Sequence, residues 1–174
     1  MGILMTIIVM GVSGSGKTTV GRRLADALGG SFHDGDDFHP PENVRKMASG
    51  QPLTDADRWP WLKAIRSFIE ARTREDDVTV IACSALKQSY RDVLSGDEED
   101  LVWIFLRGDY ELIRERMEAR SDHFFDADLL QSQFDALEAP GEEEAIVVDV
   151  DATPDAIAEE IMEQLPESLV RRRD

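Results

Sequence analysis

The sequence is poor in cysteine and in long hydrophobic runs, and each shortage excludes a class of protein. Its 174 residues include one cysteine, Cys83, so no internal disulfide can form. A single cysteine is typical of a reducing compartment, and we expect a cytoplasmic protein. The apolar run near the N-terminus, residues 3–12, is too short to span a bilayer, so we predict no membrane association. This run instead predicts a buried strand.

Positive charge is also scarce. Only 19 lysines and arginines stand against 36 aspartates and glutamates, which gives a formal net charge of −17. Such a surface repels the phosphates of nucleic acids unless its cations are segregated onto one face. We therefore predict no nucleic-acid partner. The histidines lack the spacing of zinc ligands, and no structural metal is expected.

Apolar strand patterns alternate with helical patterns along the whole chain. Strands are predicted at residues 5–10, around Phe32, and at 78–83, 101–106 and 145–150. Helices are predicted to start at Lys17, Pro40-Pro41, Thr54 and Thr153-Pro154, where capping residues or prolines stand. This alternation predicts one α/β domain over residues 1–174, with three layers: a five-stranded parallel sheet and helices on both faces. Ligands of such sheets bind beyond the carboxyl ends of the strands.

The strongest motif follows the first strand. Residues 11–18 read GVSGSGKT and match G-x-x-x-x-G-K-T between a strand and a helix. The glycines let backbone N–H groups point at phosphate, and the helix N-terminus adds partial positive charge. Lys17 can reach the β- and γ-phosphates, and the Thr18 hydroxyl can bind Mg²⁺. The motif predicts a nucleoside triphosphate site; the alternative is an ordinary glycine-rich turn.

The sequence also bears on the fate of the γ-phosphate. It lacks the N-K-x-D motif by which switch GTPases read guanine. Motor-type ATPases have a Walker B strand that ends in aspartate, and neither strand 78–83 nor strand 101–106 ends so. In the last strand, residues 145–148 do run into Asp149, but this strand comes last in the chain, where a contact to the base or ribose is expected. With no residue visible that would activate water, the pattern favours phosphoryl transfer to a small molecule over hydrolysis.

Asp34-Gly35-Asp36 follows the second strand and can face the same edge of the sheet as Thr18. One carboxylate can hold Mg²⁺ through water, and the other can accept a hydroxyl proton and align the attacking oxygen. The alternative is a turn in which Asp34 caps the helix after Pro40-Pro41. The nearby phosphate loop favours catalysis.

Several longer stretches carry a family resemblance. They are MGVSGSGKTT, DGDDFHPPENVRKMASGQPLTDADRWPWL, CSALKQSYRDVL, LRGD, ARSDHFF and VVDVD, and they span nearly the whole chain. The sequence resembles the small P-loop gluconate kinases, which are related to shikimate kinases and more distantly to nucleoside monophosphate kinases. A shikimate kinase would carry a glycine triplet where Ser84-Ala85-Leu86 stands. The resemblance implies a P-loop kinase that uses ATP and Mg²⁺ to phosphorylate the 6-hydroxyl of D-gluconate, and it suggests a homodimer.

The resemblance also implies roles for individual residues. The catalytic residues would be Lys17, Asp36 and Arg120, and Mg²⁺ would be held by Thr18 and, through water, by Asp34. The nucleotide would be bound by Gly11, Ser13, Gly14, Ser15, Gly16, Lys17, Thr18, Thr19 and Arg116. The acceptor would be bound by Asp36, His39, Lys46, Arg58, Lys87, Arg91 and His123. A mobile lid is expected at about residues 117–130, with Asp122 where a glycine is expected.

Other interpretations stay open at this point. His39 also fits a capping or packing role, and Lys87 and Arg91 also fit a solvated helix face. Three arginines also fit surface charges paired with Glu111, Glu115 and Glu118 on an exposed helix: Arg114, Arg116 and Arg120. A kinase of the same fold that acts on another sugar acid, shikimate or a nucleoside monophosphate is the second candidate function. A nucleotide-binding regulatory module is the third.

Overall fold

The computed structural model describes residues 5–72, 78–96, 101–120 and 126–166. Its strands are β1 (Met5–Met10), β2 (Ser31–Asp34), β3 (Val78–Ala82), β4 (Leu101–Arg107) and β5 (Ile146–Asp149). They form one sheet in the order β2-β3-β1-β4-β5, and every neighbouring pair is parallel. The predicted five-stranded parallel sheet is confirmed.

The helices follow the predicted alternation. They are α1 (Lys17–Leu28), α2 (Pro41–Ala48), α3 (Asp55–Arg72), α4 (Gln88–Ser95), α5 (Tyr110–Glu118), α6 (Ala127–Ala136) and α7 (Pro154–Gln164), and a 3₁₀ turn occupies Gly35–Phe38. No helix in the described ranges is both long and apolar enough to cross a membrane.

Local sequence signals explain where several helices begin. At α3 the Thr54 hydroxyl accepts from the Asp57 backbone N–H (3.2 Å), and the Asp57 carboxylate accepts from the Thr54 N–H (2.8 Å). This is the reciprocal cap that the sequence predicts. The helix continues through Pro60, which removes only one N–H near its start. Thr153 caps α7 by accepting from the Ala156 N–H (3.2 Å).

The sheet is covered on both faces because the side chains of each strand alternate in direction. On β1, Ile7 and Val9 pack against one face with Val20 and Leu24 of α1. Ile8 and Met10 belong to the other face, where α3 contributes a row of buried residues, Trp61, Leu62, Ile65 and Ile69. Full burial on both sides explains why β1 reads as a continuous apolar run. The three-layer prediction is confirmed.

The sheet order places the carboxyl end of β1 at the centre of the molecule. The chain adds β2 and β3 on one side of β1 and β4 and β5 on the other, so the strand order reverses there. In parallel sheets such a reversal opens a crevice beyond the strand ends. The phosphate-loop motif leaves β1 at this point, and Asp34-Gly35-Asp36 leaves β2 along the same edge.

Candidate active site

A cleft of about 730 Å³ opens at the carboxyl edge of the sheet. Many of the residues predicted from the sequence line it: Ser13, Gly14, Gly16, Lys17, Thr18, Thr19, Asp34, Asp36, His39, Arg58 and Arg120. Thus the phosphate loop and the Asp-Gly-Asp stretch share one cavity. Gly11, Ser15, Arg116, Lys46, Lys87 and Arg91 were predicted to bind ligands but are not among its lining residues. His123 and part of the expected lid lie outside the described residues.

The phosphate loop has the backbone that its glycines allow. Gly14 and Gly16 adopt positive φ angles of 80° and 97°, and Gly16 stands directly before α1. Most residues with a Cβ disfavour this region, so the two glycines shape the loop. The ammonium of Lys17 donates to the carbonyls of Gly11 (2.9 Å) and Val12 (3.0 Å). The lysine is therefore folded back over its own loop, inside the cleft.

Gly35 explains why a single glycine separates the two aspartates. A Cβ built on Gly35 would lie 2.6 Å from the carbonyl oxygen of Ala82 at the end of β3. Its own carbonyl accepts from the indole N–H of Trp61 (2.7 Å). The turn is thus pressed between β3 and α3. Asp34 caps it by accepting from the Asp36 N–H (2.9 Å), rather than capping the helix after Pro40-Pro41.

The charges of the cleft shift the pKa values of two predicted catalytic groups. Burial lowers the pKa of the Lys17 ammonium, and the nearby carboxylate of Asp36 counters this effect. The pKa of Asp36 is raised, first by desolvation in the cleft and then by the negative charge of Asp34, while Lys17 opposes both. A carboxylate with a raised pKa is a stronger base once it is ionised.

Arg58 is anchored through one edge of its guanidinium. Its Nη1 donates to the Leu53 carbonyl (2.8 Å) and the Tyr90 hydroxyl (3.3 Å), and it lies 3.8 Å from the Asp55 carboxylate. Within the described ranges, Nε and Nη2 have no hydrogen-bond partner. An arginine that is fixed on one side and unengaged on the other is suited to bind a carboxylate with two parallel hydrogen bonds.

The other predicted acceptor-binding cations already have partners. Lys87 donates to both oxygens of Asp55 (3.2 and 3.3 Å), and Tyr90 also donates to Asp55. These hydrogen bonds, led by that of Tyr90, lower the pKa of Asp55. Lys46 pairs with Asp57 at 2.6 Å. The structure places both lysines beside the cleft rather than in its lining.

Arg91 is 4% exposed and holds a loop instead of facing the cleft. Its Nη1 donates to the carbonyls of Ala85 (2.8 Å) and Leu86 (3.2 Å), and its Nη2 donates to the Glu138 carbonyl (2.7 Å). Ala85 has a φ of 45°, a conformation that non-glycine residues rarely adopt. Arg91 therefore stabilises a strained turn after β3 whose neighbours Ser84 and Leu86 line the cleft.

The two arginines predicted near the lid differ in position. Arg120 follows α5, is exposed and lines the cleft. Arg116 is half-buried on α5 and is not a lining residue. Glutamate pairing on this helix is found at Arg114, which contacts Glu118 at 2.9 Å.

Gln133 of α6 is a site residue that the sequence analysis misses. Its side-chain oxygen accepts from the Ser13 backbone N–H (2.7 Å), and its Nε2 donates to the Ser13 hydroxyl (2.8 Å). Glu138, just beyond the same helix, accepts from the backbone N–H of Gln88 (2.8 Å), the first residue of α4. The segment after the expected lid thus holds both the phosphate loop and the turn after β3. No local signal reveals contacts across such sequence distances.

The site fits the magnesium ion that accompanies a nucleoside triphosphate. Thr18 and Asp34 line the same cleft, and hydrogen bonding to Asp36 engages only one carboxylate oxygen of Asp34. Across the part of the chain that the structure describes, no three His, Cys, Asp or Glu side chains form a metal-binding group. A nucleotide-bound Mg²⁺ needs only one or two protein oxygens, since phosphates and waters supply the rest.

The carboxyl edge of the parallel sheet holds a phosphate loop at the strand reversal, and Asp36 and Arg58 line the same cleft. These features define a P-loop kinase for small molecules. The family model "Shikimate kinase" matches residues 13–166. The thermoresistant gluconokinase of Escherichia coli K12 is 47% identical over 146 residues, 83% of each chain. The gluconokinase of Gluconobacter oxydans is 43% identical over 90% of this chain and 88% of its own.

Solved structures agree with these relatives. A crystal structure of a gluconokinase from Sinorhizobium meliloti 1021 superposes with a TM-score of 0.84 at 46% identity, covering 96% of this chain and 92% of its own. The shikimate kinase of Aquifex aeolicus, at 17% identity and a TM-score of 0.55, shares the fold. The chain belongs to the shikimate kinase family and, within it, to the gluconokinases.

Proposed function

We propose that this protein transfers the γ-phosphate of ATP to the 6-hydroxyl of D-gluconate and releases 6-phospho-D-gluconate and ADP. The observation that carries the proposal is the shared cleft: Lys17 and Thr18 of the phosphate loop line the same cavity as Asp36 and Arg58. Relatives named gluconokinase at 43–47% identity support gluconate as the acceptor.

Asp36 is the proposed base. Its carboxylate accepts the proton of the 6-hydroxyl as that oxygen bonds to the γ-phosphorus, and the bond from phosphorus to the bridging oxygen of ADP breaks. Asp34 holds the turn that carries Asp36, through the hydrogen bond to its backbone N–H. The raised pKa of Asp36 suits this proton transfer.

Cations on the phosphate-loop side of the cleft neutralise the negative charges of the transferred phosphate. Lys17 and the loop N–H groups bind the phosphates, and Arg120 contributes a second cation from the end of α5. Thr18 and, through water, Asp34 would hold Mg²⁺, which neutralises phosphate charge when bound. Arg58 binds the gluconate carboxylate through its unengaged edge. Lys87 and Arg91 act indirectly: Lys87 fixes Asp55 beside Arg58, and Arg91 fixes the turn after β3.

An acceptor panel tests the proposed function. ADP release is measured with D-gluconate, other sugar acids, shikimate and nucleoside monophosphates, each with ATP and Mg²⁺. We expect gluconate to give the highest kcat/KM by a wide margin and phosphorus NMR to show a 6-phosphate ester. Equal ATP consumption with and without every acceptor would contradict the proposal and favour a regulatory nucleotide-binding module.

The protein's assembly and location belong to the same proposal. We expect a homodimer, as the resemblance suggests, which sedimentation of the purified chain can measure. We place the protein in the cytoplasm because Cys83 is its sole cysteine, a pattern typical of a reducing compartment.

A further inference from the structure

His39 and Asn43 form a hydrogen-bonded pair at the acceptor end of the cleft. Asn43, on α2, is only 4% exposed. Its side-chain Nδ2 lies 2.8 Å from the backbone carbonyl oxygen of Asp57 and 3.2 Å from Nδ1 of His39. Asn43 thus connects Asp57 of α3 with His39, which caps the C-terminal end of the 3₁₀ turn that contains Asp36.

This bridge determines which nitrogen of His39 carries the proton. A backbone carbonyl oxygen can only accept, so the amide atom that faces Asp57 must be the nitrogen and not the oxygen. The same Nδ2 faces the imidazole and supplies its second hydrogen there. Nδ1 of His39 must then act as an acceptor, and in a neutral ring the proton resides on Nε2.

The rest of the ring is oriented by packing. One face of His39 stacks on the indole of Trp61, with ring centroids 4.3 Å apart and an interplanar angle of 14°. Nε2 has no hydrogen-bond partner among residues 5–72, 78–96, 101–120 and 126–166. His39 lines the cleft that also holds Asp36 and Arg58. Its N–H edge is therefore the polar group left to meet a ligand.

We propose that Asn43 is a positioning residue that fixes His39 as the neutral Nε2–H tautomer, so that His39 offers a constant hydrogen-bond donor to an oxygen of the acceptor. This inference rests on the proposed function for the identity of the acceptor. A neutral donor differs from a cation in the ligands that it selects. It binds a hydroxyl or carboxylate oxygen without adding charge to a pocket that already contains Arg58.

The charged groups around the ring favour the neutral state. Burial and the positive charge of Arg58, from α3, lower the pKa of His39 to about 4. Asp57 presents its backbone carbonyl to Asn43, while its carboxylate is engaged by Lys46 of α2. Asp36 presents its carbonyl to the His39 backbone N–H. His39 is thus uncharged throughout the pH range in which a cytoplasmic enzyme works.

Nitrogen NMR of the uniformly ¹⁵N-labelled full chain tests the tautomer directly. Long-range proton–nitrogen spectra should show an unprotonated Nδ1 and a protonated Nε2 for His39, unchanged from pH 6 to pH 8. The His39→Gln variant assigns the signals by their loss. A protonated Nδ1, or two tautomers in exchange, would overturn the proposal whether or not gluconate is the substrate.

Substitution of Asn43 tests its positioning role. In Asn43→Asp the carboxylate can only accept when ionised, so the proton should move to Nδ1 and the His39 ring should titrate near neutral pH. The kcat/KM for gluconate should then gain a new dependence on pH that the parent lacks. His33 is the internal control, since its Nε2 contacts Ser31 (3.0 Å) and its signals should stay unchanged. Unchanged His39 signals in a folded Asn43→Asp variant, at a pH where the new carboxyl is ionised, would exclude the role of Asn43.

Two variants of His39 separate the effect of its hydrogen-bond donor from the effect of its stacking on Trp61. His39→Phe keeps a ring to stack on Trp61 but removes the donor, and should raise KM for gluconate about 3- to 10-fold, the loss of one neutral hydrogen bond, without changing KM for ATP. His39→Gln supplies an amide donor and should lose less. Equal KM values in the Phe and parent enzymes would refute the contact. If gluconate is not a substrate at all, the proposed function fails, while the NMR result still decides the tautomer.

Discussion

The contact between Gln133 and the phosphate loop supports a quantitative prediction. Replacing Gln133 with alanine removes two hydrogen bonds to Ser13, at 2.7 and 2.8 Å, in a half-buried setting. Each neutral hydrogen bond contributes about 1 kcal/mol net, so the free energy of unfolding should fall by about 2 kcal/mol. For a chain of this length that corresponds to a decrease in Tm of about 4–8 °C.

The same helix supplies a matched control. Gln131 donates only to Asp135 (2.9 Å) on the exposed surface of α6. Gln131→Ala has the same effect on helix propensity but should cost only about 0.2–0.5 kcal/mol. Ser13→Ala removes the hydroxyl contact alone, so a double-mutant cycle with Gln133→Ala should give a coupling energy of about 1 kcal/mol.

Urea denaturation followed by tryptophan fluorescence measures all five proteins, the parent, the three single variants and the double variant, without nucleotide. Comparable m-values are required, since the comparison assumes the same two-state transition in each. If Gln133→Ala is no less stable than Gln131→Ala, or if the cycle is additive, the clamp between α6 and the phosphate loop does not exist in solution.

Three further predictions concern the acceptor half of the site. Asp36→Asn should lower kcat at least about 100-fold with near-normal ATP affinity, and it should remove the acid limb of the pH profile. That limb arises because the base works only when ionised; the raised pKa of Asp36 sets it above the ordinary aspartate range, and activity falls as pH drops through it. Arg58→Lys should raise KM for gluconate about 10- to 100-fold and leave KM for ATP unchanged, since a lysine ammonium cannot form two parallel hydrogen bonds to a carboxylate. Gly35→Ala places a methyl group 2.6 Å from the Ala82 carbonyl oxygen, so both kcat and Tm should fall; parental values of either in a purified variant would contradict the packing described.

Local signals account for the parts of the fold that the sequence predicts well. The apolar run of β1 and the reciprocal cap of Thr54 and Asp57 are determined by neighbouring residues, and each lies where predicted. The order β2-β3-β1-β4-β5 is not readable from these patterns, because it depends on which strands pair after long crossovers. The sequence patterns also do not predict the 3₁₀ turn of Gly35–Phe38, since this turn depends on the close approach of Gly35 to the end of β3.

The residues of the candidate site also divide into those that local sequence predicts and those whose role depends on contacts in the folded chain. The phosphate loop and the Asp34-Gly35-Asp36 stretch are each a short continuous segment at the end of a strand, so their convergence on one cleft follows from the strand ends that carry them. Asp55, the partner of Lys87, and Glu138, one of the partners of Arg91, are distant in sequence and engage these cations only in the folded chain. A cationic side chain in a helix pattern does not reveal whether an internal carbonyl or carboxylate already uses its charge.

This distribution of partners bears on which acceptor the site selects. Lys87 is paired with Asp55, Lys46 is paired with Asp57, and Arg91 is committed to backbone carbonyls. Arg58 alone among the predicted acceptor-binding cations lines the cleft, and His39 beside it is neutral. One available positive charge matches a sugar acid, which carries a single carboxylate. A nucleoside monophosphate carries nearly two negative charges at neutral pH, and among the predicted acceptor-binding residues that the structure describes, Arg58 is the one cation lining the cleft to meet them. The electrostatics of the acceptor pocket therefore favour a monoanion, in agreement with gluconate and against the nucleotide acceptors that other kinases of this fold use.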